Sequence, residues 1–163
     1  MFLPITDFSR ILPLLGSCPQ AEATITGNSD YPRIFGHVSF YQTPQGVLTA
    51  AQVWGLPAAR PGGIFAFHIH SGSQCSGNES DPFADALTHY NPTEKDHPYH
   101  AGDLPPLFSS GGHAFEIFLT DRFSVQDIIG KTVIIHAGAD DFTSQPAGNA
   151  GAKIACGVIV PGR

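Results

Sequence analysis

The chain has 163 residues, long enough for one domain with a sizeable core, and 42% of them are hydrophobic against only 13% charged. A net charge of -6 argues against nucleic acid, whose phosphate contacts need clustered Lys and Arg, and no apolar run is long enough to span a bilayer. The 18 glycines and 14 prolines favour many short strands joined by turns over long helices.

Taken in chain order, residues 1–20 read as an N-terminal extension. Their apolar residues are interrupted by Asp7, Arg10 and Pro13, and no basic stretch precedes an unbroken apolar run, so no signal peptide is expected. Leu15-Gly16-Ser17-Cys18 resembles a lipoprotein cleavage site only loosely. From residue 21 to 163 the chain reads as a single domain. Alternation of apolar and polar residues predicts strands over 21–26, 33–42 and 47–56, with Thr43-Pro44-Gln45-Gly46 as a hairpin turn. Further strands are expected over 63–70, 114–119, 132–136 and 153–160, and a short helical turn over 124–129. Short strands with regular turn signals indicate an all-β sandwich or barrel.

Two long segments, 71–112 and 137–152, break this regularity. Irregular stretches of such length in a compact domain are usually functional. Each begins directly after a strand-final histidine, His70 or His136.

Six of the eight histidines, His68, His70, His89, His97, His100 and His136, lie within these segments or on the strand ends that lead into them. His68 and His70 are two apart on a predicted strand, so both side chains leave the same face and can share a metal. His89 follows alone. His97, His100 and Asp103 repeat every three residues, and three imidazoles with one carboxylate suit tetrahedral zinc. Taken singly, each group would also suit a solvated surface. Histidine is nevertheless the commonest metal ligand, and a core has little use for so many rings that each need a polar partner. His37 and His113 stand apart and read as surface or edge residues. Trp54 reads as packing rather than as part of a cofactor site.

Joined in order, the pattern is H-x-H, a lone His before an aromatic-Asn-Pro, H-x-x-H-x-x-D-L, a strand-final His, and Ala139-Asp140-Asp141. It closes with Gly148-Asn149-Ala150-Gly151-Ala152-Lys153-Ile154-Ala155-Cys156-Gly157-Val158-Ile159. This resembles the copper–zinc superoxide dismutase family over nearly all of residues 21–160. The resemblance implies an eight-stranded Greek-key β-barrel with the metals held outside it by two long loops. It implies copper on His68, His70, His89 and His136, and zinc on His89, His97, His100 and Asp103, with His89 bridging the two as an imidazolate. Asp140 matches the family carboxylate that hydrogen-bonds a copper and a zinc histidine at once. Cys75 and Cys156 match the family's intrachain disulfide, which would leave Cys18 free. The implied reaction converts superoxide to dioxygen and peroxide, with the bridging His89 delivering a proton.

Three departures from the family pattern stand out. Lys153 occupies the position of the active-site Arg, keeping the charge but not the planar fork. The spacing from His97 to His100 is short. So is the stretch from His70 to Cys75, which builds the dimer interface in eukaryotic members, so the chain reads as a monomer or a homodimer of another kind. The leading reading is an active superoxide dismutase with superoxide as substrate and Lys153 and His89 as its catalytic residues. The alternative is a copper-binding or copper-handling relative without activity. A disulfide would indicate an oxidising compartment, whereas the lack of a clear signal peptide leaves the cytoplasm open.

Overall fold

The computed structural model describes residues 11–57 and 63–162. Residues 1–10 of the expected extension lie outside the described residues. Nine strands are formed among these residues: β1 (Ala21–Gly27), β2 (Phe35–Thr43), β3 (Gly46–Trp54), β4 (Ile64–Phe65), β5 (Phe67–His70), β6 (Leu107–Ser110), β7 (His113–Thr120), β8 (Thr132–His136) and β9 (Lys153–Pro161). Among the described residues two short helices, α1 (Ile11–Leu15) and α2 (Val125–Ile128), and a 3-10 turn at Ala84–Ala86 complete the elements.

All strand pairs are antiparallel, and the order around the sheet is β4-β6-β7-β3-β2-β1-β9-β8-β5. The two ends of this order are neighbours in the chain, separated only by Ala66. The sheet is therefore a nearly closed barrel whose ends are joined through the backbone. Counting β4 and β5 as one bent strand gives the eight expected. The single strand expected over 63–70 breaks at Ala66 because its two halves pair with different partners, β4 with β6 and β5 with β8. Strand β6 was not expected. Its four residues follow Pro105-Pro106, and a run so short carries little alternation.

Period-two alternation sorts side chains between the inside and outside of the barrel. Ile25, Val38, Phe40, Val53, Phe65, Leu107 and Ile159 fill the interior, and burying each stabilises the fold by roughly 1.5–3 kcal/mol. Every residue of β5 and β8 is buried. Phe67, Ile69, Val133 and Ile135 belong to the interior core. Alternation turns His68, His70, Ile134 and His136 outward, where the long segments 71–106 and 137–152 cover them. This covering makes an outward histidine a buried one.

A smaller apolar cluster of Phe83, Ala86, Ile134 and Cys156 anchors the first of these loops, with Cys75 packed against it. The Cys75–Cys156 disulfide is formed, and Cys18 is free and exposed. The bridge joins residues 81 apart, and the chain-entropy model assigns such a closure about 4 kcal/mol. Cys75→Ser should lower the urea midpoint accordingly and loosen the loop over the outer face. An unchanged midpoint under non-reducing conditions would remove that role.

His37 is exposed on β2. His113 stacks on Trp54 at 5.2 Å, and Trp54 stacks on Phe35 at 5.1 Å, so these residues pack on the barrel's outer face. Residues 11–20 lie against one end of the barrel, where the Tyr41 hydroxyl donates to the Leu15 carbonyl.

Candidate metal centre

Three chain segments cross at Gly102. The Tyr90 N–H donates to the Ile69 carbonyl (2.8 Å), the Gly102 N–H to Tyr90 (2.8 Å) and the Ile69 N–H to Gly102 (2.9 Å). A Cβ on Gly102 would overlap the Ile69 carbonyl, so only glycine permits this crossing. It fixes β5, the segment carrying His89 and the segment carrying His100 and Asp103 relative to one another. His68 pairs with Asp103 and His70 with His89 across isolated bridges.

The crossing produces two clusters with one shared member. His68, His70, His89 and His136 can each point a ligand atom at a common centre, and so can His89, His97, His100 and Asp103. All seven side chains are buried. The short spacing from His97 to His100 still brings the second set together.

The hydrogen bonds divide each ring into an anchored nitrogen and a free one. His68 Nε2 is held by Asp140 (2.8 Å), and His70 Nδ1 donates to the Leu87 carbonyl (2.8 Å). His136 Nδ1 donates to the Gly151 carbonyl (3.0 Å), and His89 Nδ1 meets Asp103 Oδ1 (2.7 Å). The opposite nitrogens, His68 Nδ1, His70 Nε2, His89 Nε2 and His136 Nε2, are buried without a hydrogen-bond partner. An orphaned buried nitrogen is costly, and four in one cluster are explained by a metal ion that takes their lone pairs. An all-imidazole set suits copper.

In the second cluster, His89, His97 and His100 bring their Nδ1 atoms within 2.7, 3.1 and 3.3 Å of the Asp103 carboxylate. Three nitrogens and one carboxylate match the zinc preference. Asp140 ties the two clusters together, with Oδ2 on His68 Nε2 and Oδ1 on His97 Nε2 (2.9 Å). Gly148 packs against this junction at φ +66°, where a Cβ would overlap Asp140 Oδ1.

Electrostatics favours the neutral form of His68, His70 and His136. Burial, reinforced by neighbouring histidines, pushes His70 down to about 2 and His136 down to about 3, and burial also lowers His68. Burial opposes ionisation of Asp140, but its bonds to His68, the Phe142 N–H and His97 prevail and bring it to about 2. Burial likewise resists the charge on Asp103, and the His89 hydrogen bond outweighs it. In the metal-free protein these histidines hold fewer protons folded than unfolded. Stability is therefore full above the ordinary histidine value of 6.5 and declines as pH falls below it. Thermal melts of metal-free protein should show a lower midpoint at pH 5 than at pH 7.5. A midpoint that rose on acidification would contradict the assignment of these rings as neutral.

A model described as copper/zinc superoxide dismutase (SODC) matches residues 34–159. The chain belongs to the copper/zinc superoxide dismutase family. It is 35% identical over 141 residues to "Superoxide dismutase [Cu-Zn] 2" of Aquifex aeolicus (strain VF5), a match covering 77% of this chain and 79% of that protein. It is 38% identical over 136 residues to "Superoxide dismutase [Cu-Zn]" of Legionella pneumophila, covering 78% and 79%. The structure of "Cu/Zn superoxide dismutase from Brucella abortus" superposes with a TM-score of 0.72 at 24% identity, covering 85% of this chain and 98% of that one. That likeness shows the fold. Copper and zinc are accordingly the metals that the two clusters fit.

The two clusters bring together all seven residues that the sequence pattern suggested, and Asp140 bonds one histidine of each. Lys153 lines a cleft of about 340 Å³ together with His70, His89, His100 and His136. Its ammonium is not free, however. It donates to Asp81 Oδ2 (2.6 Å) and to the Phe83 carbonyl (3.1 Å). Sequence reasoning missed Asp81, which lies 72 residues from its partner. It also missed Gln145, whose side chain holds both the His97 N–H (3.0 Å) and the His97 carbonyl (2.7 Å). Asp81 carried no signal beyond its acidic type in a long loop. Among the described residues no helix is long and apolar enough to cross a membrane.

Proposed function

We propose that the protein is a superoxide dismutase that disproportionates superoxide to dioxygen and hydrogen peroxide. His68, His70, His89 and His136 would hold copper, and His89, His97, His100 and Asp103 would hold zinc, within a domain spanning 21–163 that follows a short N-terminal extension. The observation that carries this reading is the set of four unpartnered buried nitrogens, each on a ring whose other nitrogen is anchored. When bound, copper would supply the one-electron redox chemistry that dismutation requires.

The chain's own residues do the rest. Lys153 draws the anion into the cleft, where Leu87, Pro146 and Ala147 narrow the approach to His70, His89 and His136. His68 does not line the cleft and is fully buried, so it acts as a fixed inner ligand. His89 has Nδ1 turned to Asp103 and the zinc set, leaving Nε2 for the copper set. With Nε2 released from the copper set, the ring could carry a proton there and pass it to the departing peroxide, whose second proton would come from solvent. Asp140 keeps His68 and His97 oriented, as outer hydrogen-bond partners of metal ligands do.

The alternative is a copper-holding relative without activity, and the Lys153–Asp81 pair is the observation in its favour, because it weakens the charge offered to the substrate. Reconstitution with copper and zinc, followed by metal analysis and a dismutation assay, separates the two. One copper and one zinc per chain with rapid dismutation is the expected outcome. A fully metallated protein that does not dismutate superoxide would sink the enzyme reading and leave the alternative.

A further inference from the structure

The stretch from His97 to Asp103 must aim three ligands at one point. A chain turned that tightly sends its ring nitrogens and carboxylate inward, and its backbone carbonyls must be satisfied on the other side. The carbonyl oxygens of Pro98, His100 and Asp103 all accept from one atom, Arg122 Nη1, at 2.9, 3.2 and 3.1 Å. That nitrogen has two hydrogens, so the three acceptors share them. Converging carbonyl dipoles make a small negative region, and a guanidinium that never loses its charge matches it.

Arg122 is itself held. Its N–H donates to Thr120 Oγ1 (3.3 Å), Phe123 beside it is buried in the core, and Ser124 opens α2 with a capping box formed with Asp127. The guanidinium therefore reaches from the barrel wall to the back of the metal segment. Two of its three acceptors belong to ligand residues, and the third follows His97 directly. Gln145 grips the same segment from the other long loop.

We propose that Arg122 is a positioning residue for the zinc-side cluster: it holds the backbone of 98–103 in the turn that converges His97, His100 and Asp103. This rests on the reading of that cluster as a zinc site. Loss of the clamp releases the ligand-bearing carbonyls while leaving the anchors of His68, His70 and His136, namely Asp140, Leu87 and Gly151, in place.

The test uses full-length wild type, Arg122→Gln and Arg122→Lys. Zinc affinity is measured by competition with a chromophoric chelator, and cobalt(II) in the zinc site reports ligand geometry by visible absorption. Copper affinity and the urea midpoint are recorded alongside. Arg122→Gln should weaken zinc by about 10-fold, the lower end of what loss of an outer partner costs, and should alter the cobalt spectrum while sparing copper. Arg122→Lys should recover part of the loss, because an ammonium can still donate to the same carbonyls. Wild-type zinc affinity and an unchanged cobalt spectrum in Arg122→Gln would overturn the assignment. So would zinc and copper affinity falling in step with the urea midpoint, in either variant. A wild type that takes up no second metal would overturn the zinc reading itself, and this inference with it.

Discussion

Replacing His136 with alanine should abolish copper binding and dismutation together while leaving zinc in place. His136 gives one free nitrogen to the four-histidine cluster, and its other nitrogen is held only by the Gly151 carbonyl, so nothing in the zinc set depends on it. Loss of a direct ligand should cost more than the roughly 100-fold at the upper end for outer partners. His68→Ala should behave differently. His68 is fully buried and shares Asp140 with His97, so its removal strips copper and also frees one side of the carboxylate that orients a zinc ligand. Metal analysis of the two variants checks this. A His136→Ala protein with full copper occupancy and normal activity would refute the copper assignment, and equal zinc loss in both variants would refute the role given to Asp140.

Reversing the charge at Lys153 should lower kcat/KM by about 10-fold or more at low salt, within the range over which electrostatic steering changes association. Lys153→Glu would set a second carboxylate beside Asp81 at the edge of the cleft, where the substrate is an anion. The opposite change is more informative. In the present structure Asp81 holds the ammonium and takes part of its field. Burial resists ionisation of Asp81, but the Lys153 hydrogen bond outweighs it and keeps the carboxyl below its ordinary value. Asp81→Asn should therefore raise kcat/KM and steepen its fall with added salt, because a freer cation is screened more. Lys153→Arg should raise activity modestly. If a fully metallated Lys153→Glu protein kept wild-type activity at low salt, the residue would not face the substrate path.

The strands and ligands that could be read from the chain are those governed by local periodicity. His68 and His70 announce a shared face because side chains two apart on a strand must point the same way, and Phe67 and Ile69 between them mark the inner face. The short β6 and the break at Ala66 were not legible, because both are set by partners distant in sequence rather than by their own pattern. The same applies to the residues that tune the site. The carbonyls of Leu87 and Gly151 orient His70 and His136 through the path of the loops, and any residue type could supply them. Asp81 and Arg122 become meaningful only when the fold brings them to Lys153 and to residues 98–103.

The bend at Ala66 leaves the ring of strands with one thin join. Among the described residues β4 meets β6 through Ile64 and Phe65, with one added bond from the Ser109 N–H to the Gly63 carbonyl, whereas β2 and β3 pair along nine residues each. Unzipping that join turns a ring into an open sheet with two bare edges, the form of sheet that recruits foreign strands and aggregates. Resistance to aggregation in this protein is thus lodged in the few amides of that join. Those amides should exchange with solvent before the rest of the barrel does.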